Sequence, residues 1–442
     1  MSSNRPGLSR TLQHLDEILG WDPWVAAPLP GELVSDPVAA VEEALAAARP
    51  ARDGGAYVRT FADASRREAS SQAAAGDRRP LAGVTLAVKD LMAVAGHPLG
   101  AGSEQRDDAR PEDGDAAVLA LLRGCGAIPI GQTALNEFAY GVTGLNEHTG
   151  SPHHPSDPTL VPGGSSSGSA LAVATGGARL GLGTDTGGSV RIPAALCGVV
   201  GFKPRYGEYP MQGVHPLAPS LDHLGLLARG VSDIRRAHAA MGHDPGVRRL
   251  PDRVGVVEAE LEAADVNVRS AVRAALDVLA GAGARVEAVV WPSSDENFAT
   301  STAIMFAEAA AIHLQALKAH PERFSADVRG RLEAGRRIGA PTYVAAKAAQ
   351  LRVQRQVDAV LDGVDVVITP TVPVVAPHLD GGRDGDLSAL LVQSTRLLNV
   401  VGMPALSLPA PTAGLPVGLQ LVASSSARLL GFADAVADLL TG

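Results

Sequence analysis

Three residues stand at spacings that would let a serine act as a nucleophile. Lys89 closes the apolar run Leu81-Ala-Gly-Val-Thr-Leu-Ala-Val-Lys-Asp. Ser165 lies in the first of two glycine–serine clusters, Gly163-Gly-Ser-Ser-Ser-Gly-Ser169, and Ser189 ends the second, Gly187-Gly-Ser, 24 residues later. Glycine at this density permits positive φ and close approach of backbone or ligand. A serine hydroxyl is a weak nucleophile until a neighbouring base takes its proton. Lysine supplies such a base when burial lowers its pKa. Only four of the 38 basic residues are lysine, at 89, 203, 318 and 347. In a chain that otherwise uses arginine, Lys89 marks a place where the proton must be able to leave.

Several chemistries compete for the Gly163–Pro193 stretch. Gly164-Ser-Ser-Ser-Gly168 fits G-x-S-x-G with Ser166 as nucleophile, but that elbow needs a strand before it, and here Pro155–Pro162 is a proline-broken loop. Gly181-Leu-Gly-Thr-Asp-Thr-Gly187 is a loose nucleotide fingerprint, yet Arg191-Ile-Pro-Ala reads as the approach to another short strand, and neither cluster ends in G-K-[ST]. A plain glycine-rich turn would use its serines only for local hydrogen bonds. A serine–serine–lysine relay accounts for both clusters and the lysine together. In it Ser189 attacks, Ser165 passes the proton, and Lys89 accepts it. The amides of Thr186, Gly187, Gly188 and Ser189 would face the developing oxyanion.

The elements that must position these groups read as α/β. Residues 1–75 read as a helical layer, with Asp36 as N-cap before Pro37 and a second helix over Tyr57–Ala75. Strands are expected at 81–90, near 126–131, over Leu196–Lys203, near Arg253–Val257 and Arg285–Val290, and three times after residue 363. A helix and a strand join the two serine clusters, and a last helix spans Ala427–Leu440. The division expected is 1–75 as the N-terminal layer and 76–442 as the catalytic unit. Within the latter, 81–230 forms the core, 231–362 a mostly helical specificity region, and 363–442 the closing strands and helix.

Composition narrows the class. A net charge of −9 argues against a nucleic-acid surface. Two cysteines, Cys125 and Cys197, make no disulfide framework and fit a reducing compartment. The N-terminus shows no apolar leader, and prolines at 404, 409, 411 and 416 break the uncharged run 397–427 into strands. A cytoplasmic protein is expected, with no membrane partner. His148, His153 and His154 lack further ligands at metal spacing. At 3% aromatic residues, no stacking pocket is legible.

The combined motifs resemble the amidase signature family. They are Val88-Lys-Asp90, Gly163-Gly-Ser-Ser-Ser-Gly-Ser-Ala170, Gly183-Thr-Asp-Thr-Gly-Gly-Ser-Val-Arg-Ile-Pro-Ala194 and Gly201-Phe-Lys-Pro204, joined by Ser220-Leu-Asp-His223 and Gly414–Val422. The resemblance runs from about Leu81 to the end of the chain. It implies a single domain with a mixed, mostly parallel twisted sheet of about eleven strands, covered by helices on both faces.

Carried over by position, it implies Lys89 as base, Ser165 as a bridging serine held by a cis peptide, and Ser189 as the acyl-forming nucleophile. Thr186, Gly187 and Gly188 would bind the substrate carbonyl, with Ala139 facing them across the pocket. Ser166, Asp185 and Arg191 would support the loop, Arg191 with a possible reach to substrate. Ser167 stands where glycine is commoner, and Arg205 where threonine is.

The activity implied is hydrolysis of a small-molecule carboxylic amide through an acyl-serine, with no metal or organic cofactor and a homodimer as the family expectation. Rival roles are an amidotransferase A-type subunit that releases ammonia from glutamine, an allophanate-type hydrolase, an acyl-transferring enzyme that forms amides, and an idle scaffold.

Overall fold

The computed structural model describes residues 34–292, 294–380 and 384–441. Eleven strands form one sheet: β1 (Tyr57–Thr60), β2 (Thr85–Lys89), β3 (Ile128–Thr133), β4 (Leu180–Asp185), β5 (Val200–Lys203), β6 (His223–Ala228), β7 (Arg253–Val256), β8 (Arg285–Ala288), β9 (Val366–Pro370), β10 (Ala405–Pro409) and β11 (Gly418–Val422). Their order is β1-β3-β2-β4-β6-β5-β10-β11-β9-β7-β8. The sheet is mixed as expected, but the parallel majority is not found. Among the described residues six of the ten pairings are antiparallel. The parallel pairs are β2 with β3 and β4, and β7 with β8 and β9.

Side chains alternate across a strand, and the sheet uses both faces. Val366, Ile368, Leu406, Leu419 and Leu421 enter one core with helices Ala117–Gly124, Val231–Ala240, Val266–Gly281 and Ser426–Thr441. Their neighbours Val367, Ala405 and Val422 enter another, with helices Ser294–Ile312, Ala326–Gly335, Ala340–Leu361 and Arg396–Val400. A strand buried on both faces is largely apolar, and its few polar side chains, Thr369, Ser407 and Gln420, are paired inside the protein. That is why these segments read as mostly hydrophobic runs.

Two expectations are corrected. In the N-terminal layer, Asp36 caps helix Pro37–Ala47 by accepting from the amides of Val38 and Ala39, both at 3.0 Å. Residues 1–33 of that layer lie outside the described residues. The helix expected over Tyr57–Ala75 begins only at Ala62, because Tyr57–Thr60 adds an edge strand antiparallel to β3. Tyrosine, valine and threonine favour strand, and the Tyr57 hydroxyl anchors it to the Gly177 carbonyl at 2.7 Å.

The strand expected over Leu196–Lys203 covers only Val200–Lys203, because Arg191–Cys197 is a helix ended by Gly198 at φ 72°. Proline is tolerated in a first turn, as at Pro193, and a left-handed glycine is a common helix stop. The second serine cluster therefore joins a strand to a helix.

Candidate active site

The parallel trio β3-β2-β4 sets the site, at the carboxyl ends of its strands. Lys89 is the last residue of β2 and Asp185 the last of β4. Such ends are where open α/β sheets bind ligands. Helix Ser167–Thr175 packs directly on β4, and two glycines allow it. A Cβ on Gly183 would lie 2.6 Å from Ser166 Oγ, and one on Gly181 3.0 Å from the Ser169 carbonyl.

Lys89 has no solvent exposure. Its Nζ lies 2.7 Å from Ser165 Oγ, 3.0 Å from Ser166 Oγ and 2.8 Å from Thr184 Oγ1. None of these neighbours is a carboxylate. Burial pushes the amine down to about 7, against the opposing pull of the Asp185 and Asp222 charges. Near pH 7 roughly half the molecules then carry a neutral amine. The Gly164–Ser165 peptide is cis. Ser166 Oγ also donates to the Thr184 carbonyl at 3.2 Å, and the Ser166 amide donates to the Ser189 carbonyl at 3.1 Å, which ties the two clusters together.

The turn before Ser189 is held from inside. Asp185 Oδ1 accepts from the Gly188 amide at 2.9 Å, Arg191 Nη2 at 2.8 Å and Asn399 Nδ2 at 2.8 Å. Oδ2 accepts from the Val190 amide at 3.1 Å and Arg191 Nε at 3.0 Å. Burial alone would raise this carboxyl, but the Arg191 charge and hydrogen bonds, Lys203 and Asn399 hold it well below the usual range. Arg191 is fully buried and directs its other donors to Gln420 Oε1 and Asn399 Oδ1, both at 2.8 Å. It braces the loop and does not line the cavity, so the expected reach to substrate is not found.

The backbone of the turn divides its work. The Gly188 amide is taken by Asp185, so its expected place among the carbonyl-binding donors is also corrected. The amides of Thr186, Gly187 and Ser189 have no acceptor among the described residues. Two threonines fix the turn: Thr186 Oγ1 donates to Asp222 Oδ1, and Thr395 Oγ1 donates to the Gly187 carbonyl, each at 2.7 Å.

A cavity of about 240 Å³ opens on this turn, and Thr186, Gly187, Ser189 and Ala139 all line it. Phe138 and Ala139 hold left-handed φ of 51° and 58°. Non-glycine residues in that conformation are strained and concentrate at functional sites. Three aromatic side chains, Tyr140, Phe298 and Phe306, line the cavity, although composition showed no such pocket.

Sequence reasoning named Lys89, Ser165, Ser166, Asp185, Ser189 and Ala139, and the fold brings all of them to this place. It missed Thr184, Thr395, Asn399 and Gln420. Thr184 and Gln420 sat unremarked inside quoted motifs. Thr395 and Asn399 belong to the start of the uncharged C-terminal run and its approach, which carried no chemical signal. Among the described residues no group of His, Cys, Asp and Glu is placed to hold a metal.

The fold and this arrangement define a class seen in known proteins. A family model described as Amidase matches residues 39–427. A 2-amino-5-chloromuconic acid deaminase of Comamonas testosteroni is 37% identical over 388 residues, 82% of this chain and 83% of that protein. The A-type subunit of the glutamyl-tRNA(Gln) amidotransferase of an Anaeromyxobacter species (strain K) is 37% identical over 436 residues, 86% of this chain and 88% of that protein. A crystal structure of an amidase superimposes with a TM-score of 0.85 at 37% identity, covering 92% of this chain and 96% of that one. The chain belongs to the amidase signature family and is an enzyme of the amidase class.

Proposed function

We propose that the protein hydrolyses a small carboxylic amide through an acyl-enzyme on Ser189. The observation that carries this reading is the buried Lys89 amine, 2.7 Å from Ser165 Oγ, with its pKa brought down to about 7. A general base works best with a pKa near the operating pH. Neutral Lys89 draws the proton from Ser165, and Ser165 draws it from Ser189 as Ser189 Oγ bonds to the carbonyl carbon. The Thr186, Gly187 and Ser189 amides stabilise the oxyanion. Ser165 returns a proton to the leaving nitrogen as the C–N bond breaks, and water repeats the sequence to release the acid.

Residues 81–230 supply the chemistry in this reading, and 231–362 with the segment around 388–396 shape the substrate side. Two free, buried cysteines fit a cytoplasmic setting. Among the described residues no helix is long and apolar enough to cross a membrane.

The test is labelling with a fluorophosphonate followed by peptide mapping. The label is expected on Ser189, lost in Ser189→Ala and slowed in Lys89→Ala. A label on Ser166 instead would overturn the assignment of the nucleophile. A second reading has one observation in its favour, the long match to the A-type subunit of the amidotransferase. There the same acyl-enzyme would release ammonia from glutamine for a partner protein. Turnover of free amides by the isolated chain, without preference for glutamine, would set it aside.

A further inference from the structure

A second cavity, of about 430 Å³, opens beside the carboxyl ends of β2 and β3, where Asp90 follows Lys89 and Tyr57 pairs with Thr133. It shares no lining residue with the cavity at Ser189. Some of its charges are answered within the protein. Asp107 pairs with His148 at 2.9 Å, and Arg106 lies 3.6 Å from Glu112 and donates to the Leu99 carbonyl at 3.0 Å. Asp90 and Arg59 are not answered in this way. Asp90 is only 3% exposed, and its Oδ1 accepts from Gln132 Nε2 at 2.9 Å and the Gly100 amide at 3.1 Å. Its Oδ2 has no partner among the described residues, yet it is not sealed in the interior, and the residue lines the cavity. Arg59, half-buried on β1, reaches no carboxylate among the described residues. Its Nη1 donates to Gln132 Oε1 at 2.6 Å and to the Pro98 carbonyl at 3.3 Å.

Two neighbours keep this pair apart and open. Gln132 is fully buried, and its amide accepts from Arg59 on one side while it donates to Asp90 on the other. Opposite charges free to meet would pair directly, and here one amide group stands between them. Gly100 leaves the carboxylate uncovered, since a Cβ there would lie 2.6 Å from Asp90 Oδ2. Its φ lies outside the left-handed region, so the glycine serves the space and not the bend. Burial pushes the Asp90 carboxyl up to about 7, against the pull of the Gly100 amide and the Arg59 and Arg106 charges. A buried charge with so little compensation is costly.

We propose that this cavity is a second ligand site, for a short amino acid in its zwitterionic form. The ammonium group sits on Asp90 Oδ2 and the carboxylate on Arg59. An ion of one sign alone would leave the other charge unanswered. A molecule carrying both signs a few atoms apart answers the pair at the spacing that Gln132 imposes. Guanidinium suits the carboxylate because its planar donors match it, and charge-assisted hydrogen bonds are the strong ones. The volume falls within the roughly 300–1,000 Å³ of small-molecule sites. The inference does not depend on the amide-hydrolase reading.

The experiment is calorimetric titration of the native protein with glycine, β-alanine and γ-aminobutyrate, with acetate and methylamine as probes of single charge. At least one amino acid is expected to bind about tenfold or more tightly than either single-charge probe. Asp90→Asn and Arg59→Gln should each remove that preference. Gly100→Ala keeps both charges but fills the space before Oδ2, and should weaken binding as well. Thermal melting checks that each variant is folded, and Arg59→Gln, on a half-exposed residue, decides where the others are not. Prior labelling of Ser189 with a fluorophosphonate should leave the affinity unchanged. Loss of binding on labelling would place the ligand in the reaction cavity and overturn the second site. Acetate binding as tightly as the amino acids would reduce it to an anion site and overturn the zwitterion. No binding by any amino acid, or a preference that survives Arg59→Gln, would overturn the proposal outright.

Discussion

The floor of the site and its far wall are built on opposite plans. On the floor, Lys89, Ser165, Thr184, Asp185 and Arg191 are buried, and their polar groups find partners within the protein. On the far wall, Arg396, Tyr140 and Ser388 each keep a buried polar atom without one. A closed network fixes geometry before substrate arrives, which is what oxyanion stabilisation requires. An open one holds binding capacity in reserve. On the proposed function, the closed part would perform the reaction and the open part would face the substrate.

Substitutions can sharpen or break this contrast. The largest effect is expected for Ser189→Ala, where turnover should fall about 10⁴-fold or more, measured as kcat on any amide that the native enzyme hydrolyses. Persistent turnover would mean that the floor is not where the bond breaks. Next comes Lys89→Arg, which keeps a positive charge but cannot release its proton. The rate should drop about 10³-fold. The native kcat/KM should rise as pH increases through about 7 and then level, because the base acts in its neutral form above that value. A profile flat across neutral pH would remove Lys89 from the base role.

Asp185→Asn tests the closure of the floor. It leaves Arg191 buried without its counter-charge, which should cost about 3–5 kcal/mol of stability in a denaturant titration. Adding Arg191→Met should recover part of that. The smallest change is Thr395→Val, which removes the hydrogen bond to the Gly187 carbonyl. A loss of about 1 kcal/mol there corresponds to roughly fivefold in kcat. No loss would show that the turn holds its shape without this contact.

What could be read from the chain alone follows the same division. The floor was legible because its residues are of unusual type: serines clustered among glycines, and a lysine in an arginine-using protein. The lysine signal was not specific to chemistry, however. Lys203 is equally buried, its amine also lowered by burial, yet its Nζ donates only to the Pro204 and Met403 carbonyls. The far wall was not legible, because Tyr140, Phe298, Ser388 and Arg396 meet only through tertiary packing and have no shared motif. Local patterns also failed where an edge strand and a short helix depended on their neighbours, at Tyr57–Thr60 and Arg191–Cys197.

The partners of Asp185 and Arg191 carry a consequence for the order of synthesis. Asn399 and Gln420 reach the catalytic turn from more than 200 residues away. Chains fold from the N-terminus as they leave the ribosome, so the serine clusters emerge long before the side chains that lock them. On the proposed mechanism the turn has its full clamp only once Gln420 has been made. A product cut short by a late stop codon would carry every residue of the relay and still lack the clamp that holds the turn in shape.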